Sequence, residues 1–213
     1  MPIDSEVSKK IAEQLLQIKA IKLQPEKPFT WTSGWKSPIY CDNRISLSYP
    51  IVRTYIRQEL ASQIEKNYGK PDVIAAVATA AIAQGALVAE SLGIPFVYVR
   101  SAAKDHGREN LIEGEIRENQ SVVVIEDLIS TGKSSLKAVE ALREAGCKVK
   151  GMISIFNYGF ELAKKNFENA QCPVVSLCDY SDLLKQAVES DFIKESDTIT
   201  LEKWRISPET WGQ

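Results

Sequence analysis

Apolar runs that do not alternate with polar residues are the feature that most restricts this chain. "DVIAAV", "IPFVYVR", "SVVVIED", "CKVKGMISIFNYG" and "CPVVSLCDY" each read as a short strand rich in β-branched and aromatic residues. A strand wetted on one face alternates polar and apolar residues, whereas a strand covered on both faces reads as a near-continuous apolar stretch. Helical periods stand between these runs: "AIAQGALVAESLG", "GKSSLKAVEALREAG", "FELAKKNFENA" and "SDLLKQAVES". "YPIVRTYIRQELASQIEKNYG" precedes them as an amphipathic helix. Gly69, Gly93 and Gly146 follow three of the helices, where a residue able to turn left-handed closes the last turn. The pattern predicts a doubly wound, mainly parallel α/β sheet with helices on both faces, spanning about residues 49–190. In such sheets ligands bind outside the carboxyl ends of the strands. The loops after "VIAAV", "FVYVR", "VVVIED" and "ISIFN" are therefore the candidate site.

The flanks are less regular. "VSKKIAEQLLQIKAI" sets Val7, Ile11, Leu15 and Ile18 on one helical face. "FTWTSGWKSPIYCDNR" breaks into turn and strand signals around Gly34 and Pro38. Residues 1–48 form one segment, 49–190 the core, and 191–213 a tail expected to pack on that core.

Composition excludes several classes. A length of 213 residues suits one domain with a small accessory segment, and a net charge of -2 offers no global positive field for nucleic acid. The longest apolar run, Val73 to Ala83, is about half the ~20 residues that span a bilayer, and Thr79 interrupts it. "MPIDSEVSKK" has no apolar run behind a basic start, so the expectation is a cytoplasmic protein with no membrane partner. Cys41, Cys147, Cys172 and Cys178 form no CxxC pair, and the chain has a single histidine. That argues for reduced thiols rather than a zinc site.

"VVVIEDLISTGKSS" carries the chemistry. It ends in Gly132-Lys133-Ser134, as a nucleotide-binding P-loop does, but the position five residues before Gly132 is Asp127 where that loop needs glycine. A carboxylate there would face a triphosphate, so the P-loop reading fails. What remains is a strand ending in Glu126-Asp127, then Leu128-Ile129, then a Ser130-Thr131-Gly132-Lys133-Ser134 loop opening a helix. Hydroxyls and free backbone N–H groups at a helix N-terminus cradle one phosphate. Carboxylates accept hydrogen bonds from a diol and favour a developing cation. A ribose 5-phosphate with a cationic transition state at its anomeric carbon has these parts. Taken alone, "ED" reads more simply as solvated acids at a strand end.

The run resembles the phosphoribosyl pyrophosphate signature of type I phosphoribosyltransferases. "FTWTSGWKSPIYCDNR" is similar to the N-terminal segment of the orotate-specific members, with Ser33, Gly34, Lys36, Ser37, Pro38, Tyr40, Asp42 and Arg44 in step. "YVRSAAKDHGRENLIEG" is similar to their mobile catalytic loop, with Arg100, Lys104, His106 and Gly107 in step. The resemblance implies that fold with a small N-terminal hood, and transfer of phosphoribose from phosphoribosyl pyrophosphate to orotate in pyrimidine synthesis. It implies phosphoribosyl pyrophosphate contacts at Arg100, Lys104, His106 and Glu126 through Ser134, namely Glu126, Asp127, Leu128, Ile129, Ser130, Thr131, Gly132, Lys133 and Ser134. Lys104, His106 and Asp127 are the expected catalytic residues, and Ser130 and Lys36 the expected orotate contacts. Ala78, Thr79 and Ala80 would form the diphosphate loop, with a cis peptide at Ala78-Thr79. Mg²⁺ is implied as cofactor, held mainly by substrate. A homodimer sharing its catalytic loops is implied as well.

The chemistry of the loop fits that resemblance. Negative charge builds on the departing diphosphate, so cations must gather there, and "RSAAKDHGR" supplies Arg100, Lys104, His106 and Arg108. Either proton donation or hydrogen bonding suits His106. Polar connections this long in compact domains are usually lids or disordered. Lys133 is read as incidental, its backbone N–H mattering more than its charge. Trp31 and Trp35 suit the hood, the core or an interface. Ser101, Ala80-Ala81 and the lack of an arginine near Asn157-Tyr158 depart from the resemblance. A purine-specific transferase and a nucleic-acid-binding regulator are the other readings. The hood motif speaks against the first, and the net charge and the Lys104/His106 loop against the second.

Overall fold

The computed structural model describes residues 3–31, 34–101 and 111–212. Its elements are α1 (Ser5–Gln17), β1 (Ile21–Leu23), β2 (Phe29–Thr30), β3 (Lys36–Ser37), β4 (Ile39–Cys41), a 3-10 helix (Asn43–Ser48) and α2 (Pro50–Tyr68). There follow β5 (Val73–Val77), α3 (Ile82–Leu92), β6 (Phe96–Val99), β7 (Ile112–Glu113), β8 (Ser121–Ile129) and α4 (Lys133–Glu144). β9 (Lys148–Asn157), α5 (Glu161–Asn169), β10 (Val174–Asp179), α6 (Tyr180–Glu189) and α7 (Asp197–Ile206) complete the chain.

The central sheet has the order β10-β9-β8-β5-β6-β7, parallel except for β7 at one edge. From β5 the chain moves outward to β6, then returns to the other side of β5 to lay down β8, β9 and β10. Crossovers of one hand running in opposite directions put α3 and α4 on opposite faces. α2 packs beside α3, α5 beside α4, and α1 lies against α6 and β10. Burial explains the apolar runs: all of β5, and Val122 to Glu126 of β8, are buried.

The reversal of direction makes the site. β5 pairs with β8 from Val73↔Val122 to Ala76↔Ile125 and stops, while β8 continues beside β9 to Ile129↔Asn157. Glu126 to Ile129 thus have a strand on one side only, and a crevice opens at the switch point. The strand does not end at the two acids as expected. Leu128 and Ile129 carry it on, paired with Phe156 and Asn157.

Gly151 shows how closely the layers meet. A Cβ there would lie 2.5 Å from Tyr68 Cε1. Tyr68 donates its hydroxyl to the Met152 carbonyl at 2.8 Å, which locks α2 to β9. A bulge between Val122 and Val123 leaves Lys150 over, and its ammonium donates to the Tyr68 carbonyl at 2.6 Å.

β1, the 3-10 helix, β7 and α7 were not expected. β7 lies inside the long polar connection after β6, pairing Tyr98↔Glu113 and Val99↔Ile112. α7 turns the C-terminal segment into a helix whose Trp204 is fully buried. The N-terminal segment forms two small ladders, β1 with β4 and β2 with β3. Among the described residues no helix is long and apolar enough to cross a membrane.

Candidate active site

The segment from Leu128 to Ser134, which runs from the end of β8 through a loop to the start of α4, contributes to two cavities. One, of about 340 Å³, is walled by Thr30, Trp31, Tyr40, Cys41, Leu128, Ser130 and Tyr158. The other, of about 320 Å³, lies against Val77, Ala78, Arg100, Ser101, Thr131, Lys133 and Ser134, with Lys137 behind them. The first is roofed by aromatic residues from the N-terminal segment. The second joins the ends of β5, β6 and β8. Two larger grooves flank α5 and are lined by neither Glu126 nor Asp127.

Glu126 and Asp127 immediately precede the shared segment, and neither lines either cavity. They are not equivalent. Glu126 is buried; its Oε2 accepts from the Ser135 hydroxyl at 2.8 Å and its Oε1 from the Asp127 N–H at 3.1 Å. Burial, then the neighbouring Asp127, pushes Glu126 up to about 8. Asp127 is half-buried, and burial raises its carboxyl too, against the pull of hydrogen bonds and of Arg44. Two carboxylates this close in a low dielectric favour holding a proton between them. Arg44 itself is paired with Asp42, at 2.7 and 2.9 Å. Asn43, also buried, donates to the Asp127 carbonyl at 2.7 Å.

The residues of this segment divide by task. Ser130 lines the aromatic cavity, and Thr131, Lys133 and Ser134 line the other. Ile129 is fully buried, and its carbonyl accepts from the Tyr158 N–H at 3.0 Å, so its side chain is a core residue rather than a ligand contact. Gly132 adopts φ 76°, and a Cβ there would lie 2.6 Å from Phe167 Cε2. It is the N-cap of α4, and no side chain caps that helix. The first N–H groups of α4 therefore remain available to an anion. Lys133 and Ser134 are exposed at this end.

Of the remaining predicted residues, Ala78 and Arg100 line the second cavity, and Thr79 and Ala80 do not. The Ala78-Thr79 peptide is cis. Arg100 reaches Glu113 of β7 at 3.5 Å, and its N–H donates to the Leu111 carbonyl at 2.9 Å. Lys36 lies apart from the aromatic cavity: its ammonium donates to Thr30 Oγ1 at 2.8 Å, and Thr30 lines that cavity. Lys104 and His106, with Gly107, Arg108 and Ser33, lie outside the described residues.

The aromatic cavity holds residues that sequence reasoning did not assign to it: Thr30, Cys41 and Tyr158. Trp31 belongs to its wall, its indole N–H donating to the Ile39 carbonyl at 3.2 Å. It stacks on Trp35 with centroids 6.3 Å apart and meets Tyr158 at 5.3 Å. Burial, and next the charge of Asp127, pushes the Cys41 thiol well above its usual range, so it stays protonated. A flat, partly polar ring is the shape such a cavity accepts.

Comparison with known proteins places the chain among relatives of one family. Residues 54–176 match the phosphoribosyl transferase domain. An orotate phosphoribosyltransferase of Porphyromonas gingivalis is 57% identical over 206 residues, covering 97% of this chain and 98% of that protein. The crystal structure of orotate phosphoribosyltransferase from Aeropyrum pernix superposes with a TM-score of 0.74 at 26% identity, covering 83% of this chain and 97% of that one. A UMP synthase from Leishmania donovani superposes with a TM-score of 0.78 at 25% identity; it covers 93% of this chain, which spans only 42% of the synthase.

Proposed function

The chain belongs to the phosphoribosyltransferase family, and from that premise we infer that its reaction is phosphoribosyl transfer to orotate. It acts as a pentosyltransferase of pyrimidine synthesis, converting phosphoribosyl pyrophosphate and orotate to orotidine 5'-monophosphate and pyrophosphate. One observation carries the mechanism: a single continuous segment, Leu128 to Ser134, lines both an aromatic cavity and a polar cleft at the switch point. A sugar phosphate held on that segment has its two reacting partners on either side.

In this reading the N–H groups and hydroxyls of Thr131 to Ser134 bind the 5-phosphate at the start of α4. Asp127 and Glu126 take the ribose hydroxyls, and their shared negative charge favours the cationic anomeric carbon of the transition state. The turn at Ala78, Thr79 and Ala80 lies under the diphosphate, with Arg100 beside it. Orotate occupies the aromatic cavity against Trp31 and Tyr40, touching Ser130 and reached by Lys36 through the Thr30 edge. A ring nitrogen of orotate forms the new bond to the anomeric carbon as the carbon–oxygen bond to diphosphate breaks, and the proton displaced from that nitrogen leaves with the diphosphate. Lys104 and His106 are assigned to the departing diphosphate by resemblance.

Mg²⁺ is part of the proposal by the same resemblance: among the described residues no group of three or more His, Cys, Asp or Glu side chains could hold a metal ion, and the ion would be carried in by substrate, held mainly by diphosphate, ribose hydroxyls and water. When bound, it supplies positive charge toward the leaving group. A homodimer sharing its catalytic loops is part of the proposal on the same resemblance. So is a cytoplasmic location, which suits four unpaired cysteines.

Purified protein with Mg²⁺, phosphoribosyl pyrophosphate and orotate should consume orotate absorbance. Turnover of hypoxanthine or uracil but not of orotate would overturn the base assignment. Lys104→Ala should lower kcat far more than it weakens substrate binding. Weakened binding with unchanged kcat would remove Lys104 from the leaving-group step.

A further inference from the structure

The C-terminal segment has no part in the mechanism above, and none of its residues lines the aromatic cavity. Yet it reaches the back of that cavity. Trp204 of α7 is fully buried, and its indole N–H donates to the Lys36 carbonyl at 3.1 Å, across 168 positions of sequence. Lys36 pairs with Thr30 in the β2–β3 ladder, and Thr30 lines the cavity. The Trp204 ring meets Trp31 edge-on at 5.5 Å and Tyr158 at 5.6 Å, and both of those line the cavity too. Beyond α7 the chain returns to the same strand: a Cβ on Gly212 would lie 3.3 Å from Lys36 Cβ. One side chain therefore touches both walls of the cavity from outside it.

The anchoring of α7 is independent of the hood. Tyr180 donates its hydroxyl to the Leu201 carbonyl at 3.0 Å, and Arg205 binds Ser181 at 2.9 Å while lying 5.6 Å from the Tyr180 ring centroid. α7 is thus fixed to α6, on the core, and Trp204 projects from it to the hood. β2 and β3 are only two residues each. Ladders that short are not stable alone and take their position from what they pack against.

We propose that Trp204 is a positioning residue for the base site, holding Trp31 and the Thr30–Lys36 ladder in register so that the hood selects and seats the flat base. This rests on the orotate reading. It makes the C-terminal helix a determinant of base affinity, without contact with the base and without a share in the phosphoribosyl or diphosphate sites.

The test is steady-state kinetics on full-length Trp204→Phe, which keeps a buried ring and removes the N–H. KM for orotate should rise about three- to ten-fold, the range expected for one lost hydrogen bond. The kcat and the KM for phosphoribosyl pyrophosphate should stay within about twofold, because the reacting centre is untouched. A parallel change in both KM values and kcat, or no change in the orotate KM, overturns the role. Hydrogen exchange on the unmutated protein tests the same coupling without reliance on the variant's folding. Orotidine 5'-monophosphate should slow exchange across residues 197–212, and phosphoribosyl pyrophosphate alone should not; equal exchange in all states overturns the proposal. Absence of orotate turnover by the unmutated protein removes the orotate reading itself. Turnover with an unmoved orotate KM in Trp204→Phe removes only the positioning role.

Discussion

Asn43 donates from Nδ2 to the main-chain carbonyl of Asp127 at 2.7 Å, joining residues 84 positions apart in the sequence. The bond ties the 3-10 helix behind the hood to the strand that carries both acids. Asn43 is buried, and its Oδ1 accepts from the Cys41 thiol at 3.4 Å. The residue that fixes the acid strand therefore also faces the wall of the aromatic cavity.

Asn43→Ala should destabilise the fold by about 1–3 kcal/mol, because it leaves a buried carbonyl without a donor. Asn43→Asp should cost more, since it sets a carboxylate against that carbonyl and near Asp127. Urea unfolding measures both. An Asn43→Ala midpoint equal to that of the unmutated protein would show the bond to be dispensable.

Gly132→Ala meets two obstacles at once. The left-handed backbone costs a side chain about 1–2 kcal/mol, and overlap with Phe167 adds about 1–3 kcal/mol. KM for phosphoribosyl pyrophosphate should rise with the loss of stability, because the N–H groups of α4 shift. Adding Phe167→Leu should restore the part due to overlap and leave the backbone part. Full recovery in the double variant would mean that φ 76° is not a constraint.

Lys133→Gln tests whether the charge that resembles a P-loop lysine matters. Lys133 is exposed at the first position of α4 and lines the polar cleft. An exposed cation loses most of its leverage to solvent, so KM for phosphoribosyl pyrophosphate should change by less than about threefold. A loss of about a hundredfold would place its ammonium on a phosphate.

The parts legible in the sequence were those with a local signal. The apolar runs of β5, β6, β8, β9 and β10 announced a sheet covered on both faces, and Glu126 to Ser134, the candidate site segment, lie at its switch point. β7 has two residues, too few for any period to register. α7 was invisible for another reason: "DTITLEKWRI" is rich in β-branched residues, and it exposes Ile199 and Ile206 while burying Leu201 and Trp204. It has no clean apolar stripe, because it packs against a hood and a core at once. Asn43 and Ser135 read as ordinary polar residues until their partners, 84 and 9 positions away, come within hydrogen-bonding distance. Thr30, Cys41 and Tyr158 in the walls of the aromatic cavity are likewise a product of tertiary packing rather than of any pattern along the chain.

Glu126 and Ser135 give a pH dependence whose sign can be worked out. In the unfolded chain Glu126 loses its proton near its ordinary value, about 4.3. In the folded protein burial and Asp127 delay that loss until about pH 8, and the Ser135 hydroxyl and the Asp127 N–H only partly oppose them. Between those limits the folded state binds the extra proton, so stability falls as pH rises, by at most about 1.4 kcal/mol per pH unit for this group. Asp127 is raised as well and adds in the same direction. Urea midpoints of the ligand-free protein should therefore decline between about pH 5 and pH 8. Glu126→Gln, which cannot ionise, should flatten the decline. Ser135→Ala removes a donor that favours the charged carboxylate, so Glu126 should hold its proton to still higher pH and the decline should extend upward. A Glu126→Gln profile parallel to that of the unmutated protein would assign the pH dependence to other groups.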